Sequence, residues 1–270
     1  MSHASPSQRG CFRLLIVNPN SSEDMTHAME RAIASMGPLH ALDTIMYTAP
    51  ATSGSPTSIN DADDIERSTC AVWTDLCQTR ALDAVDGVLI ACYSSHPLVG
   101  KIASHHPKLA VTGIFEASIA ATLPLLRRVD SGLSSRGGWG IVTTGKFWEA
   151  HLTLAVHETL GSAADQPNAW FRGVFSTGLN AGDFHGHLPP EMLRDKLTQA
   201  TRKLLQSGNV DCVIMGCAGM AGLEEIIWST VKAEYGEQRA KGVYILDGLR
   251  AGVEVLQGMV RMQRLFLHGS

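Results

Sequence analysis

Six cysteines occur in the 270-residue chain, and two of them stand in matched surroundings. Cys92 follows Val85-Asp86-Gly87-Val88-Leu89-Ile90-Ala91, and Cys217 follows Val210-Asp211-Cys212-Val213-Ile214-Met215-Gly216. Val, Asp, Val, Cys and Leu recur at the same places, the last at Leu98 and Leu223, with residues 92 and 217 separated by 125. Ile16-Val17-Asn18-Pro19-Asn20 and Ile141-Val142-Thr143-Thr144-Gly145 repeat the offset, 16 to 141. Two thiols facing one cleft suit a two-base proton transfer at carbon, one sulfur removing a proton and the other returning one to the opposite face. Reacting atoms must approach to roughly 3–3.5 Å, which sets the sulfurs roughly 6–7 Å apart. A disulfide needs about 2.05 Å, so a working pair is unbridged.

A thiol with pKa near 8.5 costs about 2 kcal/mol to ionise at neutral pH, and a helix N-terminus favours the negative charge. Both cysteines stand between a strand and a helix, so both are expected to receive that help. A lone free cysteine is ordinarily a small buried hydrophobe; the matched pair points to function instead. Cys11, Cys70, Cys77 and Cys212 have no such match and are read as packing or incidental residues.

The carbanion must be held as an enolate, and backbone N–H groups after each cysteine, at Tyr93, Ser94 and Ser95 and at Ala218 and Gly219, form suitable turns, with Gly216 a further candidate for substrate binding. Asn18, Thr143 and Thr144 end the duplicated strands and could bind carbonyl or carboxylate oxygens. Asn18 and Asn20 have a second reading as caps of the first helix, and the threonines one as caps of the next. Tyr47 ends a strand and could donate to a substrate oxygen or merely pack its ring. His96 is either a partner of the Cys92 thiol or a solvated loop residue. His185-Gly186-His187 beside Asp183 has metal-site residue types but no third ligand at motif spacing, and is read as a polar loop, with no metal. Arg136-Gly137-Gly138-Trp139-Gly140 precedes its strand, so it is no dinucleotide fingerprint, and no phosphate loop is present.

The elements that position these residues alternate. Strands are expected at 13–17, 44–48, 85–91, 109–115, 139–143, 170–175, 210–216 and 243–246. Helices are expected at 22–36, 60–82, 98–104, 116–128, 146–160, 190–207, 223–234 and up to 265, the fourth kinked or shortened at Pro124. Residues 49–57 form a loop and a candidate lid. Alternation predicts α/β architecture: two pseudo-symmetric lobes, each a parallel sheet flanked by helices, with the site in the cleft between them. Residues 1–11 are expected to be a tail, 12–117 the first lobe completed by 241–267, and 118–240 the second.

A net charge of −4 without a basic stripe argues against nucleic acid. No apolar run approaches the roughly 18 residues of a membrane span. The polar start, 1–10, is no secretory signal, and a cytoplasmic setting with reduced thiols is expected.

These motifs resemble the aspartate/glutamate/hydantoin racemase superfamily, particularly its hydantoin and allantoin racemase branch, fungal members included. Val17-Asn18-Pro19-Asn20-Ser21-Ser22, Ala91-Cys92-Tyr93-Ser94-Ser95-His96-Pro97-Leu98 and Met215-Gly216-Cys217-Ala218-Gly219-Met220 carry the resemblance, which spans roughly residues 13–265. It implies cofactor-independent 1,1-proton transfer with Cys92 and Cys217 as bases, a small-molecule substrate and a homo-oligomer. Where amino-acid racemases of the superfamily carry Asp-Ser, this chain has Asn18-Pro19-Asn20, which favours a cyclic ureide. Tyr93-Ser94-Ser95 departs from the bacterial hydantoin enzymes. A maleate-type cis–trans isomerase, an amino-acid racemase, or a non-catalytic two-lobed sensor with redox-sensitive thiols are the competing readings; an arylmalonate decarboxylase would resemble the fold with a single cysteine.

Overall fold

Leu14, Leu15, Ile16 and Val17 are consecutive, apolar and buried, so the first strand needs cover on both faces. The same holds for Val88 to Ile90 and Val213 to Met215. Parallel sheets with helices on both sides meet that requirement. The computed structural model describes residues 11–37, 42–126, 137–162, 168–185 and 188–266.

Strands β1 (Phe12–Asn18), β2 (Leu42–Thr48), β3 (Gly87–Ile90) and β4 (Ala110–Gly113) form a parallel sheet in the order β2-β1-β3-β4. Strands β5 (Gly138–Thr143), β6 (Phe171–Ser176), β7 (Val210–Gly216) and β8 (Tyr244–Asp247) form a second in the order β6-β5-β7-β8. The repeat is visible in the hydrogen-bond register. Val17 pairs with Ile90, and Val142 pairs with Met215, so both central strands are displaced by the same 125 residues, 17 to 142 and 90 to 215. The offset fails at the edges, where Tyr47 corresponds to Phe175 and Gly113 to Asp247. Duplication is thus preserved best in the strands that carry the cysteines.

Local signals explain the helix ends. In α1 (Glu23–Ala34), Ser22 caps the N-terminus by accepting from the Met25 N–H, and Glu23 and Asp24 occupy the positive first turn. In α2 (Ala62–Thr79), Asp61 accepts from the Asp64 N–H. Then follow α3 (Pro97–His105) and α4 (Ile114–Thr122). Pro124 shortens α4: its ring and missing N–H cannot continue the helix, and Leu123–Leu125 tightens into a 3-10 turn. The second half adds α5 (Phe147–Thr159), α6 (Pro190–Gln206), α7 (Glu224–Tyr235), the short α8 (Glu237–Ala240) and α9 (Gly248–Phe266).

The last helix lies on the first sheet. A Cβ at Gly252 would meet the Leu89 side chain at 2.9 Å, and one at Gly87 would meet Leu256 at 3.0 Å, so close helix–sheet approach needs glycine there. Strand β8 instead pairs with β7. The segment 241–267, expected to complete the first lobe as a unit, is therefore divided: its strand extends the second sheet and its helix covers the first. The expected boundary at 117/118 falls inside α4. Of the tail, only Cys11 is described, and of Arg136-Gly137-Gly138-Trp139-Gly140 all but Arg136. No helix among the described residues is long and apolar enough to cross a membrane.

Candidate active site

Both cysteines lie just past the carboxyl ends of central strands, Cys92 after β3 and Cys217 after β7, where open α/β sheets present side chains to a crevice. They line one cavity with about 430 Å³ of unfilled space, its mouth included. Asn20, beyond β1, and Thr144, beyond β5, line it too, so all four central strands deliver a residue. Both thiols are only partly accessible.

The surroundings of the two sulfurs differ. Cys217 opens the 3-10 turn Ala218–Met220, and the Gly219 N–H donates to its sulfur at 3.3 Å. Cys92 receives a hydroxyl instead, Ser94 Oγ donating at 3.4 Å. The helix after Cys92 begins five residues on, at Pro97, and is capped by His96. Burial pushes the Cys92 thiol up to about 12; the Ser94 bond pulls it down, while charge on Cys217 and Glu116 raises it further. Burial likewise pushes Cys217 up to about 11, opposed by the N–H groups of Gly219 and Met220 and raised by Asp247. Desolvation outweighs the backbone help expected at both positions. Ionising Cys217 at neutral pH therefore costs on the order of 5 kcal/mol.

Of the other residues picked from sequence, the cavity gathers Tyr93, Thr144, Gly216, Ala218 and Gly219. Gly216 has a steric reason to be glycine: a Cβ would stand 2.6 Å from Ile141 Cγ2 and 3.0 Å from the Val142 carbonyl. Tyr93 turns its hydroxyl away, 2.9 Å from Ser118 Oγ, with its ring edge-on to Phe115. Ser94 reaches the cavity only through Cys92, and Ser95 is exposed.

Asn18, Thr143 and Tyr47 do not line the cavity. Asn18 is fully buried, its amide donating to Ser22 O and Thr26 Oγ1 at 3.0 Å each, while its Oδ1 accepts from the Asn20 N–H. It holds the Asn-Pro-Asn turn to α1, and that turn presents Asn20 instead. Thr143 Oγ1 donates to Gly216 O at 2.9 Å, tying β5 to β7. Tyr47 faces the other way, donating to Asp75 on α2 at 2.8 Å, and burial with that carboxylate beside it raises its phenol.

His96 is neither solvated nor a partner of the thiol. It is 2% exposed, and burial lowers its pKa to about 4. Its Nδ1 accepts from the Leu98 N–H and its Nε2 lies 3.3 Å from Ser68 Oγ, which donates to Pro19 O at 2.7 Å. A neutral imidazole with the proton on Nε2 satisfies this chain of bonds. No residue of the loop 49–57 lines the cavity: Ser55 Oγ donates to Pro19 O at 2.9 Å, and Ile59, just beyond the loop, reaches the wall. His185 ends the 3-10 turn Ala181–His185; Gly186 and His187 lie outside the described residues.

Sequence reasoning missed an apolar wall of Met25, Met29, Ile59, Trp148 and Ala181. Met25 and Met29 sit four apart on α1, hence on one face, and Trp148 is in the first turn of α5, directly after a duplicated strand; that placement was the available signal. Among the described residues lining the cavity none carries an ionised side chain other than the thiols themselves on ionisation.

The Asp/Glu/Hydantoin racemase pattern matches residues 14–256. The chain belongs to that family. It is 29% identical over 251 residues to an uncharacterized Schizosaccharomyces pombe protein, covering 93% of each. It is 23% identical to a hydantoin racemase of Pseudomonas sp. strain NS671, covering 92% of this chain and 86% of the other. Among solved structures, an allantoin racemase from Klebsiella pneumoniae superposes with a TM-score of 0.69 at 20% identity, over 93% of this chain and 88% of that one. The two four-stranded parallel sheets are thus the two-lobed α/β fold of the racemases, as the alternating pattern implied.

Proposed function

We propose that this protein is a cofactor-independent racemase acting at the stereogenic carbon of a 5-substituted hydantoin or an allantoin-like ureide, with Cys92 and Cys217 as its two bases. The observation that carries the reading is the convergence of both cysteines, from equivalent strands of the two sheets, on a single cavity. One thiolate takes the proton from the ring carbon and becomes a thiol. The electron pair moves onto the adjacent carbonyl as an enolate. The opposite thiol then protonates the other face of the carbon and is left as thiolate, so one turnover exchanges the roles of the sulfurs without net loss of a proton.

The cavity wall suits a neutral ring better than a free amino acid. A carboxylate calls for a cation or a charge-assisted donor, and no lysine, arginine or histidine side chain lines the wall among the described residues. Thr144 accepts bonds from Thr177 and Gly178 through its carbonyl, which leaves its hydroxyl for a ring oxygen. The Asn20 amide nitrogen has only the Met25 sulfur, at 3.2 Å, and can turn to a carbonyl. Association into a homo-oligomer belongs to the same proposal, supported by exposed Phe147 and Leu154 on α5.

Incubation of single enantiomers of 5-substituted hydantoins and of allantoin in heavy water tests the reading. Protein-dependent loss of optical rotation with deuterium at the ring carbon, above spontaneous exchange, is expected. Retained rotation without exchange across the set rules it out.

A further inference from the structure

The apolar side chains around the cavity come from both halves of the chain. Met25 and Met29 are on α1, Ile59 precedes α2, Trp148 is in the first turn of α5, and Ala181 opens a 3-10 turn after β6. All pack into one apolar cluster that draws on both sheets. Met25, Met29, Ile59 and Trp148 are each at most 6% exposed. Trp148 is held further by its neighbours, its ring edge-on to His151 at 5.6 Å and to Phe147 at 5.0 Å. Proton transfer between two sulfurs and a ring carbon requires none of this. A wall of this kind favours ligand surface that gains by leaving water.

The same cavity is poor in hydrogen-bond acceptors. Among the described lining residues only Asn20, Tyr93 and Thr144 carry a side-chain oxygen. Asn20 Oδ1 accepts from the Ser22 N–H at 2.9 Å, and the Tyr93 hydroxyl is paired with Ser118. The main-chain carbonyls of Cys92, Thr144, Gly216, Cys217 and Ala218 already accept bonds from within the protein. The Thr144 hydroxyl is what remains. Asn20 is 7% exposed, and with its oxygen held by Ser22 its nitrogen lies against the Met25 sulfur at 3.2 Å. A ring carbonyl thus finds a donor, whereas a ring substituent bearing N–H groups finds few acceptors.

We propose that Met25, Met29, Ile59 and Trp148 form the subsite for the substituent on the reacting carbon, and that this substituent is an apolar alkyl group, taken in preference to the ureido group of allantoin. The inference rests on the proposed two-base reading for the fate of the ring and adds which ring is chosen. 5-Isobutylhydantoin and allantoin are a matched pair for it. Their tails share a branched shape and size, and the ring, with its own N–H groups, is common to both. Only polarity differs. The ureido N–H groups give up water for a wall without acceptors, which opposes binding. The isobutyl group gives up water to its advantage. Pockets that discriminate in this way do so by roughly 10- to 100-fold.

Protection of Cys92 and Cys217 from iodoacetamide in the full-length protein, read cysteine by cysteine by mass spectrometry, measures occupancy without turnover. 5-Isobutylhydantoin is expected to protect both at a concentration about tenfold or more below that needed by allantoin. Met29→Gln and Ile59→Thr, checked for folding by circular dichroism, should each narrow that gap by about threefold or more. Equal protection, stronger protection by allantoin, or protection by neither compound would overturn the subsite, as would an unchanged gap in both folded variants. Should both variants misfold, the gap in the unaltered protein decides. The two readings separate in the same samples. Protection by the isobutyl compound without its racemisation keeps the subsite and removes the racemase. Racemisation of both compounds with equal efficiency keeps the racemase and removes the subsite.

Discussion

The loop after Cys92 and the turn after Cys217 descend from the same repeat but solve the thiol problem differently. At Cys217 the chain bends at once into a 3-10 turn, and main-chain N–H groups support the sulfur. At Cys92 a longer, side-chain-built loop intervenes: Ser94 supports the sulfur, and buried His96 caps α3. Its counterpart α7 begins at Glu224, and the N-cap residue Leu223 supplies no side-chain cap. Main-chain donors are fixed by the turn and cannot be mutated away singly, whereas a hydroxyl and an imidazole can. The first site is therefore the tunable one and the second the stiff one.

Removing either sulfur has the largest expected effect. Cys92→Ser and Cys217→Ser should each reduce racemisation below about 1% of the unaltered protein, because general acid–base groups contribute on the order of 10²–10⁴-fold. Polarimetry checks this, and substantial racemisation by either variant would show that the two sites are not paired bases.

His96 gives the next effect and concerns the first half alone. Its pKa falls from about 6.5 to about 4 on folding, so between those values the unfolded chain binds more protons and stability rises with pH. The contribution is present above pH 6.5 and is lost as pH falls toward 4, amounting to roughly 3 kcal/mol. Denaturant unfolding of His96→Gln at pH 4.5 and 7.5 should show a smaller pH difference than the unaltered protein. An equal difference would place the acid sensitivity elsewhere.

The smallest effect sharpens the contrast most directly. At a common pH near 9, Cys217 should alkylate up to about tenfold faster than Cys92, following the difference between about 11 and about 12. Ser94→Ala should slow Cys92 by a further three- to tenfold, the worth of one net hydrogen bond of about 1 kcal/mol, and leave Cys217 alone. Slower reaction at Cys217 would break the proposed ranking of main-chain over side-chain support.

Much of this was legible in the chain itself. Continuous apolar runs declared strands buried on both faces, Pro124 shortened its helix, Ser22 capped α1, and the 125-residue offset reappeared as an identical strand register in both sheets. The cysteine pair follows from that register, because equivalent strand ends of two similar sheets can face one crevice. What sequence could not decide was the direction of side chains in the turns. Asn18 and Asn20 differ by two residues and look alike in composition, yet one is consumed by α1 and the other lines the cavity. Tyr47, at a strand end, faces α2, because the side of the sheet it occupies is covered there.

The apolar wall of Met25, Met29 and Trp148 and the raised thiols are tertiary outcomes as well. Local pattern states which residues are apolar and which backbone groups are free. Only the packing of two lobes against each other determines how much water the sulfurs lose. That desolvation, which outweighs the nearby donors, turns two ordinary thiols into groups that are costly to ionise.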